Sequence, residues 1–182
     1  EDMRTLIQVG DAKNLRRTLN LTALLAELGV PMVMALNMTD EAKARGVTVD
    51  NAALAAALGV PVVATVATGG EGVAALTDAI GKATAPAPLL RYDPVLERDI
   101  ARVEARIAAD CPHPRLAARG LAILAIGRDP EVDAWLAAQA NSAAVRALLA
   151  ELTAATGRDS LPARLARERG GAAEALARTV TR

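Results

Sequence analysis

The sequence predicts two dissimilar halves, an α/β layer with parallel strands followed by a small all-helical domain. Three observations predict it. Short continuous apolar runs alternate with segments of helical period as far as residue 82. Residues 83–90 (Ala-Thr-Ala-Pro-Ala-Pro-Leu-Leu) then break the composition. Beyond them every periodic segment repeats its apolar residues at three and four, the spacing of one buried helix face. The expected boundaries are 1–84 for the α/β part, 85–92 for a linker and 93–182 for the helical domain.

In the first half, residues 6–9 (Leu-Ile-Gln-Val) are a short apolar run ended by Gly10-Asp11, a strand leading into a loop. Residues 14–28 carry Leu15, Leu19, Thr22, Leu25 and Leu28 at helical spacing, and Gly29 stands where a left-handed C-terminal residue belongs. Residues 31–36 are apolar throughout, as in a strand covered on both faces. Residues 40–45 read as a short helix ending at Gly46, residues 47–49 as extended, and Asp50 as the cap of a helix over 51–58. Residues 60–66 form a third strand, and 72–83 a helix with Val73, Leu76 and Ile80 on its inner face. This alternation implies parallel strands, right-handed crossovers and ligands held beyond the carboxyl ends of the strands. Residues 51–70 carry no charge and could cross a bilayer by length. Gly59 and Pro61 interrupt them, so helix, turn and strand is the better reading.

In the second half, Asp93-Pro94 is a cap followed by proline at the first helical position, and Leu96, Ile100, Val103 and Ile107 repeat behind it. Residues 116–126 form a strongly apolar helix closed by Gly127. Asp129-Pro130 repeats the cap-plus-proline start and leads to Val132, Trp135 and Leu136, with Trp135 expected in the core. Residues 142–156 form a helix with Val145, Leu148, Leu149 and Leu152 inward, ending at Gly157. A last helix starts near Ser160 and runs toward Val180, weakened at Gly170-Gly171 by about 1 kcal/mol per glycine.

Composition narrows the function classes. With 21 Lys+Arg against 21 Asp+Glu the chain is formally neutral, which argues against a nucleic-acid arm, a polybasic membrane patch or an acidic tail. Tyr92 and Trp135 are its only aromatics, so stacking platforms for single-stranded nucleic acid are excluded. One cysteine, Cys111, excludes an internal disulfide framework and fits a reducing compartment. One histidine, His113, excludes zinc sites that need two. The arginines at 164, 167, 169, 178 and 182 read as a solvated face.

The informative cluster is Asn37-Met38-Thr39-Asp40, directly after a buried strand. Guanine presents a ring N–H beside an exocyclic amine, and a carboxylate such as Asp40 can accept from both. The Asn37 amide can donate to a base acceptor and tie neighbouring loops together. Adenine lacks that donor pair and would leave a carboxylate unpaired. The plain alternative is an ordinary helix N-terminus with Asp40 near its cap. A second cluster, Val63-Ala64-Thr65-Val66-Ala67-Thr68-Gly69-Gly70-Glu71-Gly72, leaves the next strand. Its small residues let backbone approach a planar ligand, and a backbone N–H there can bond the guanine carbonyl. The plain alternative is a glycine-rich loop before a helix.

These residues carry a resemblance. Asp11-Ala12-x-Asn14-Leu15, the stretch Leu24-Leu25-Ala26-Glu27-Leu28-Gly29-Val30-Pro31, Ala35-Leu36-Asn37-Met38-x-Asp40-Glu41-Ala42, and the Gly-Val-Pro-Val-Val strand with its Gly-x-Gly loop resemble FeoB, the bacterial ferrous-iron transport protein B family. The resemblance covers residues 2–82. Tyr92-Asp93, the 120–126 helix before Gly-Arg-Asp, and Leu165-Ala166-Arg167-Glu168-Arg169 resemble the helical, dissociation-inhibitor-like domain that follows the GTPase domain in that family. The resemblance implies a partial P-loop GTPase-type parallel sheet followed by that domain. It implies the base-specificity motif at Asn37 and Asp40, with Met38 covering the base where many small GTPases have lysine. It implies a loop over the guanine carbonyl at Thr65, Val66, Ala67 and Thr68, with Ala67-Thr68 where Ser-Ala or Ser-Thr is common.

The same resemblance implies GTP or GDP as ligand and GTP binding and hydrolysis regulating ferrous iron uptake. It places the parent protein in the bacterial inner membrane, with these residues on the cytoplasmic side. No Gly-x-x-x-x-Gly-Lys-Ser/Thr occurs in the 182 residues, and neither the Asp-x-Pro-Gly motif nor the switch threonine is present. The phosphate-binding half is therefore expected before residue 1, and Mg²⁺ only with it. The chain as written is expected to read guanine without hydrolysing GTP. Its expected partners are that N-terminal segment, the transmembrane domain and, through its incomplete sheet, a second copy. Two other readings remain: a non-catalytic interaction module whose α/β layer docks on a partner, and a different GTPase with a helical appendage.

Overall fold

The computed structural model describes residues 5–155 and 160–182. One compact unit takes in the chain up to Leu89 together with Gly170–Arg182, and a second takes in Leu90–Arg169. The sequence reading assigns residues 170–182 to the helical half, whereas they pack with the α/β half.

In the first unit three parallel strands, β1 (Leu6–Asp11), β2 (Met32–Asn37) and β3 (Val62–Ala64), lie in the order β1-β2-β3 among the described residues. Leu6 pairs with Met32 and Asp11 with Asn37, while Met34 pairs with Val62 and Leu36 with Ala64. Met32 through Leu36 are all buried, as a continuous apolar run in a strand covered on both faces requires. β3 is shorter than residues 60–66, but the Pro61 carbonyl and the Thr65 amide extend its pairing through Met34 N and Leu36 O. Helices α1 (Leu15–Glu27), α2 (Thr39–Ala44), α3 (Asn51–Leu58) and α4 (Val73–Ile80) connect and follow the strands. Asp50 caps α3 by accepting from Ala53 N at 2.9 Å, and Gly29 adopts φ 69 after α1.

The core joins Leu15, Leu19, Met34, Leu36, Leu54 and Leu58. Ala173 and Val180, near the chain's end, belong to the same core. β1 buries Gln8 and Gly10 toward α1 and leaves Ile7 and Val9 exposed at 44% and 67%. Val73 of α4 is exposed, and Leu76 and Ile80 are half-buried, so the predicted inner face of that helix is covered only in part. In the sheet it packs against β2 and β3.

The second unit holds α5 (Pro94–Asp110), α6 (Ala118–Ile126), α7 (Pro130–Ala138) and α8 (Ala143–Ala155), with the first turns of α9 (Leu161–Val180). Leu96, Ile100, Val103 and Ile107 are fully buried, each contributing about 1.5–3 kcal/mol of transfer free energy. Asp129 caps α7 as its sequence predicts. After α6, Gly127 keeps φ −70 and the left-handed residue is Arg128 at φ 61. Trp135, expected in the core, is half-buried, with its ring edge-on to His113 at 5.6 Å. The expected helix end at Gly157 lies outside the described residues.

Asp93 caps α5 through Val95 N and Leu96 N, and accepts from Arg164 at 2.5 Å. Its own N–H donates to Glu168 at 2.8 Å. The Arg164 guanidinium and the helix amides bring the Asp93 carboxyl down to about 2. Its cap therefore stabilises above the ordinary carboxylate value of 3.8 and is lost as pH falls toward 2. Burial, with the Asp93 carboxylate beside it, pushes Glu168 up from 4.5. A raised carboxyl favours the fold below its unfolded value and loses that contribution as pH rises through its folded value. Glu168→Gln is therefore expected to raise Tm at pH 7 by about 1–3 °C, a shift of typical size for removing one unfavourable charge from a chain of this length. The gain should disappear in melts below pH 4.5, where glutamate is protonated in both states.

Candidate functional site

The two clusters meet at the carboxyl ends of β2 and β3. Asn37 is the last residue of β2, and Met38 follows in the left-handed region at φ 62, ψ 34. A non-glycine residue in that conformation is uncommon and marks a position where the surroundings impose the backbone. The turn swings the chain from the strand into α2, leaving Met38 38% exposed and Asp40 on the exposed first turn of the helix.

Asn37 Oδ1 accepts from Thr65 Oγ1 at 3.2 Å and from Ala67 N at 3.0 Å. Because the Ala67 N–H can only donate, the amide oxygen must face it. This turns Nδ2 the other way, and Nδ2 makes no hydrogen bond among the described residues. Thr39 Oγ1 donates to the Thr65 carbonyl at 3.3 Å, a second tie between the loops. Thr65 is buried, Val66 half-buried, and Ala67 and Thr68 are exposed in a 3-10 turn, Ala67–Gly69. Val66 N bonds Glu71 O at 3.0 Å and closes the loop on itself. Gly72, at φ 79, sits so close that a Cβ there would stand 2.1 Å from the Ala64 carbonyl oxygen.

A cavity of about 430 Å³ opens beside α2, lined by Thr39, Asp40, Lys43, Ala64, Val66 and Glu71 on two sides. Residues 47–49 and Asn51 line another side. Its size lies within the roughly 300–1,000 Å³ of small-molecule sites. The Asp40 carboxylate makes no hydrogen bond or ion pair among the described residues, so its oxygens remain available as acceptors. Of the residues singled out from sequence, Asp40 and Val66 line the cavity, and Asn37, Thr65 and Ala67 form the tie beside it. Met38 and Thr68 lie on the flanking turns and line no part of it. Sequence reasoning missed Thr39, Lys43, Asn51 and the 47–49 wall. Only Thr39, inside the Asn-x-x-Asp spacing, had a sequence signal that could have found it. Among the described residues no three His, Cys, Asp or Glu side chains converge as a metal site, and no helix is long and apolar enough to cross a membrane.

Asn37→Ala is expected to cost about 1–2 kcal/mol, because the buried Thr65 hydroxyl and the Ala67 amide lose their acceptor. Hydrogen exchange at the Ala67 amide should accelerate more than exchange at the sheet amides. Uniform acceleration would show that Asn37 does not hold this loop.

Two family models match the chain: "Ferrous iron transport protein B" over residues 1–80 and "FeoB cytosolic helical domain" over residues 92–182. The Fe(2+) transporter FeoB of Salmonella choleraesuis (strain SC-B67) is 39% identical over 113 residues, which is 61% of this chain and 15% of that protein. The chain thus spans a small part of the length of the curated relatives it matches. The cytosolic domain of L. pneumophila FeoB superposes with a TM-score of 0.85 at 26% identity, covering all of this chain and 69% of that one. A GDP-bound mutant of the S. thermophilus FeoB G-domain superposes at 0.86 with 27% identity, covering all of this chain and 71% of that one.

Proposed function

The chain belongs to the FeoB family, and from that premise we propose that its α/β half reads the base of a guanine nucleotide. The observation that carries this is the unpartnered Asp40 carboxylate at a cavity whose neighbouring loops are locked together by Asn37. Asp40 accepts from the guanine ring N–H and exocyclic amine. Asn37, held by Thr65 and Ala67, presents Nδ2 to an acceptor on the base. A backbone N–H of the 65–68 loop donates to the guanine carbonyl.

Phosphate cradling and Mg²⁺ binding need a Gly-x-x-x-x-Gly-Lys-Ser/Thr loop, which does not occur in these 182 residues. No hydrolytic step is therefore assigned to them. In the parent protein, GTP binding and hydrolysis regulate ferrous iron passage through a bacterial inner membrane, with these residues on the cytoplasmic side. The test is a two-dimensional NMR titration of the full-length gene product's cytosolic region with GDP and with ADP. GDP should shift the Asp40 and Ala67 amides, and ADP should leave them in place. Equal shifts with both nucleotides would overturn the assignment.

The exposed Ile7 and Val9 and the edge of β1, unpaired among the described residues, call for further strands, which a second reading draws from another chain. Monomeric, cooperative unfolding of these residues without nucleotide would favour such a module over a fragment of a larger α/β domain.

A further inference from the structure

Two walls of the Asp40 cavity are built on the sheet: α2 leaves β2, and the 64–71 segment leaves β3. The third wall is residues 47–49, in the loop between α2 and α3, with Asn51 at the start of α3. Its backbone is held from outside the sheet. Thr48 N donates to Arg182 O at 2.9 Å, Arg182 N donates back to Thr48 O at 2.9 Å, and Asp50 N donates to Val180 O at 2.8 Å. Val49 and Thr181 form an antiparallel bridge between these bonds. Val180 is buried in the core with Leu54 and Leu58 of α3, which anchors this segment in place. Three polar groups of the wall are thus satisfied by residues 180–182, and withdrawing that segment would leave them to water and free the loop.

We propose that residues 180–182 are positioning residues for the Asp40 cavity, so that occupancy of the cavity and docking of the 180–182 segment are coupled. A ligand that orders the wall orders the segment, and by linkage an ordered segment tightens the ligand. The proposal rests on the guanine reading above in its choice of ligand. It also assigns a function to a contact that the base-recognition residues do not need.

The test uses the full-length gene product with saturating GDP. Hydrogen exchange at the Thr48, Asp50 and Arg182 amides should slow by about threefold or more relative to the Ala87 amide, which bonds Leu58 and lines no part of the cavity. Arg182→Pro removes one donor from an exposed position, and the residue before it is already extended. It should weaken GDP by a similar factor. A purely structural contact predicts a lower Tm with unchanged GDP affinity for Arg182→Pro. That result, or protection by GDP at residues 37–40 and 65–68 without protection at the clamp, overturns the coupling and leaves the guanine reading intact. No protection anywhere removes both.

Discussion

Asp40→Asn in the full-length gene product is expected to lower GDP affinity about 100-fold and to turn selectivity toward xanthosine diphosphate. Asp40 stands at the cavity with no partner among the described residues, so its oxygens offer two acceptors. Guanine answers with two adjacent donors. Hydrogen bonds to a charged group contribute about 1.5–3 kcal/mol each, and 1.4 kcal/mol is a factor of ten in affinity. Asparagine keeps one acceptor and turns the other into a donor that faces the guanine amine. Xanthine has a carbonyl at that position and matches the new pair. A competition titration with fluorescent GDP against unlabelled GDP and xanthosine diphosphate reads both effects. Unchanged preference for guanine would sink Asp40 as the base reader, while a loss of affinity for every nucleotide alike would point to a collapsed loop. Circular dichroism at the same temperature separates those cases, since Asp40 is exposed and its replacement should leave the melt in place.

Gly72→Ala is expected to be the most damaging single change to the fold around the site, costing about 3 kcal/mol or more. The residue has φ 79, and a Cβ would stand 2.1 Å from the Ala64 carbonyl oxygen and 3.1 Å from Thr65 Cγ2. Left-handed backbone alone costs a non-glycine residue about 1–2 kcal/mol. The clash adds to that because the obstructing atom is backbone at the end of β3 and cannot rotate away. Relief requires the 64–72 segment to move, which pulls Val66 from Glu71 and Ala67 from Asn37. Gly70→Ala provides the internal comparison. Its φ is 73 but nothing lies within 4 Å of the added carbon, so it should lose only the conformational part, about 1 kcal/mol. Urea midpoints at unchanged slope measure both variants. Equal losses at the two positions would show that the close approach at Ala64 is not what the glycine serves.

Both predictions concern residues that the sequence marks, for different reasons. Asp40 is marked by chemistry: a carboxylate three residues after an asparagine at the end of an apolar strand has few roles. Gly72 is marked by composition, as one glycine among several in a loop. Only the carbonyl it faces distinguishes it from Gly70. The glycine pattern predicted a permissive loop, and packing decided which member is irreplaceable.

Sequence alone determined the features that depend on a few neighbouring residues. The caps at Asp50, Asp93 and Asp129 follow from a short acceptor placed before a helix. The fully buried β2 follows from its unbroken apolar run, and the inner face of α5 from its three-and-four spacing. The parallel order of the strands follows from the helices between them. Tertiary structure decided what depends on distant partners. It set residues 180–182 against the 47–50 loop, carried Ala173 and Val180 into the core of the α/β half, and tied Thr39 to Thr65. It also left Val73 and Val9 uncovered, although their spacing and apolarity promise burial. The physical reason is the same in each case. A helix face or a cap carries its period within one or two turns, whereas a contact between segments far apart in the chain leaves no local period. A hydrophobic side chain is buried only if some other element arrives to cover it.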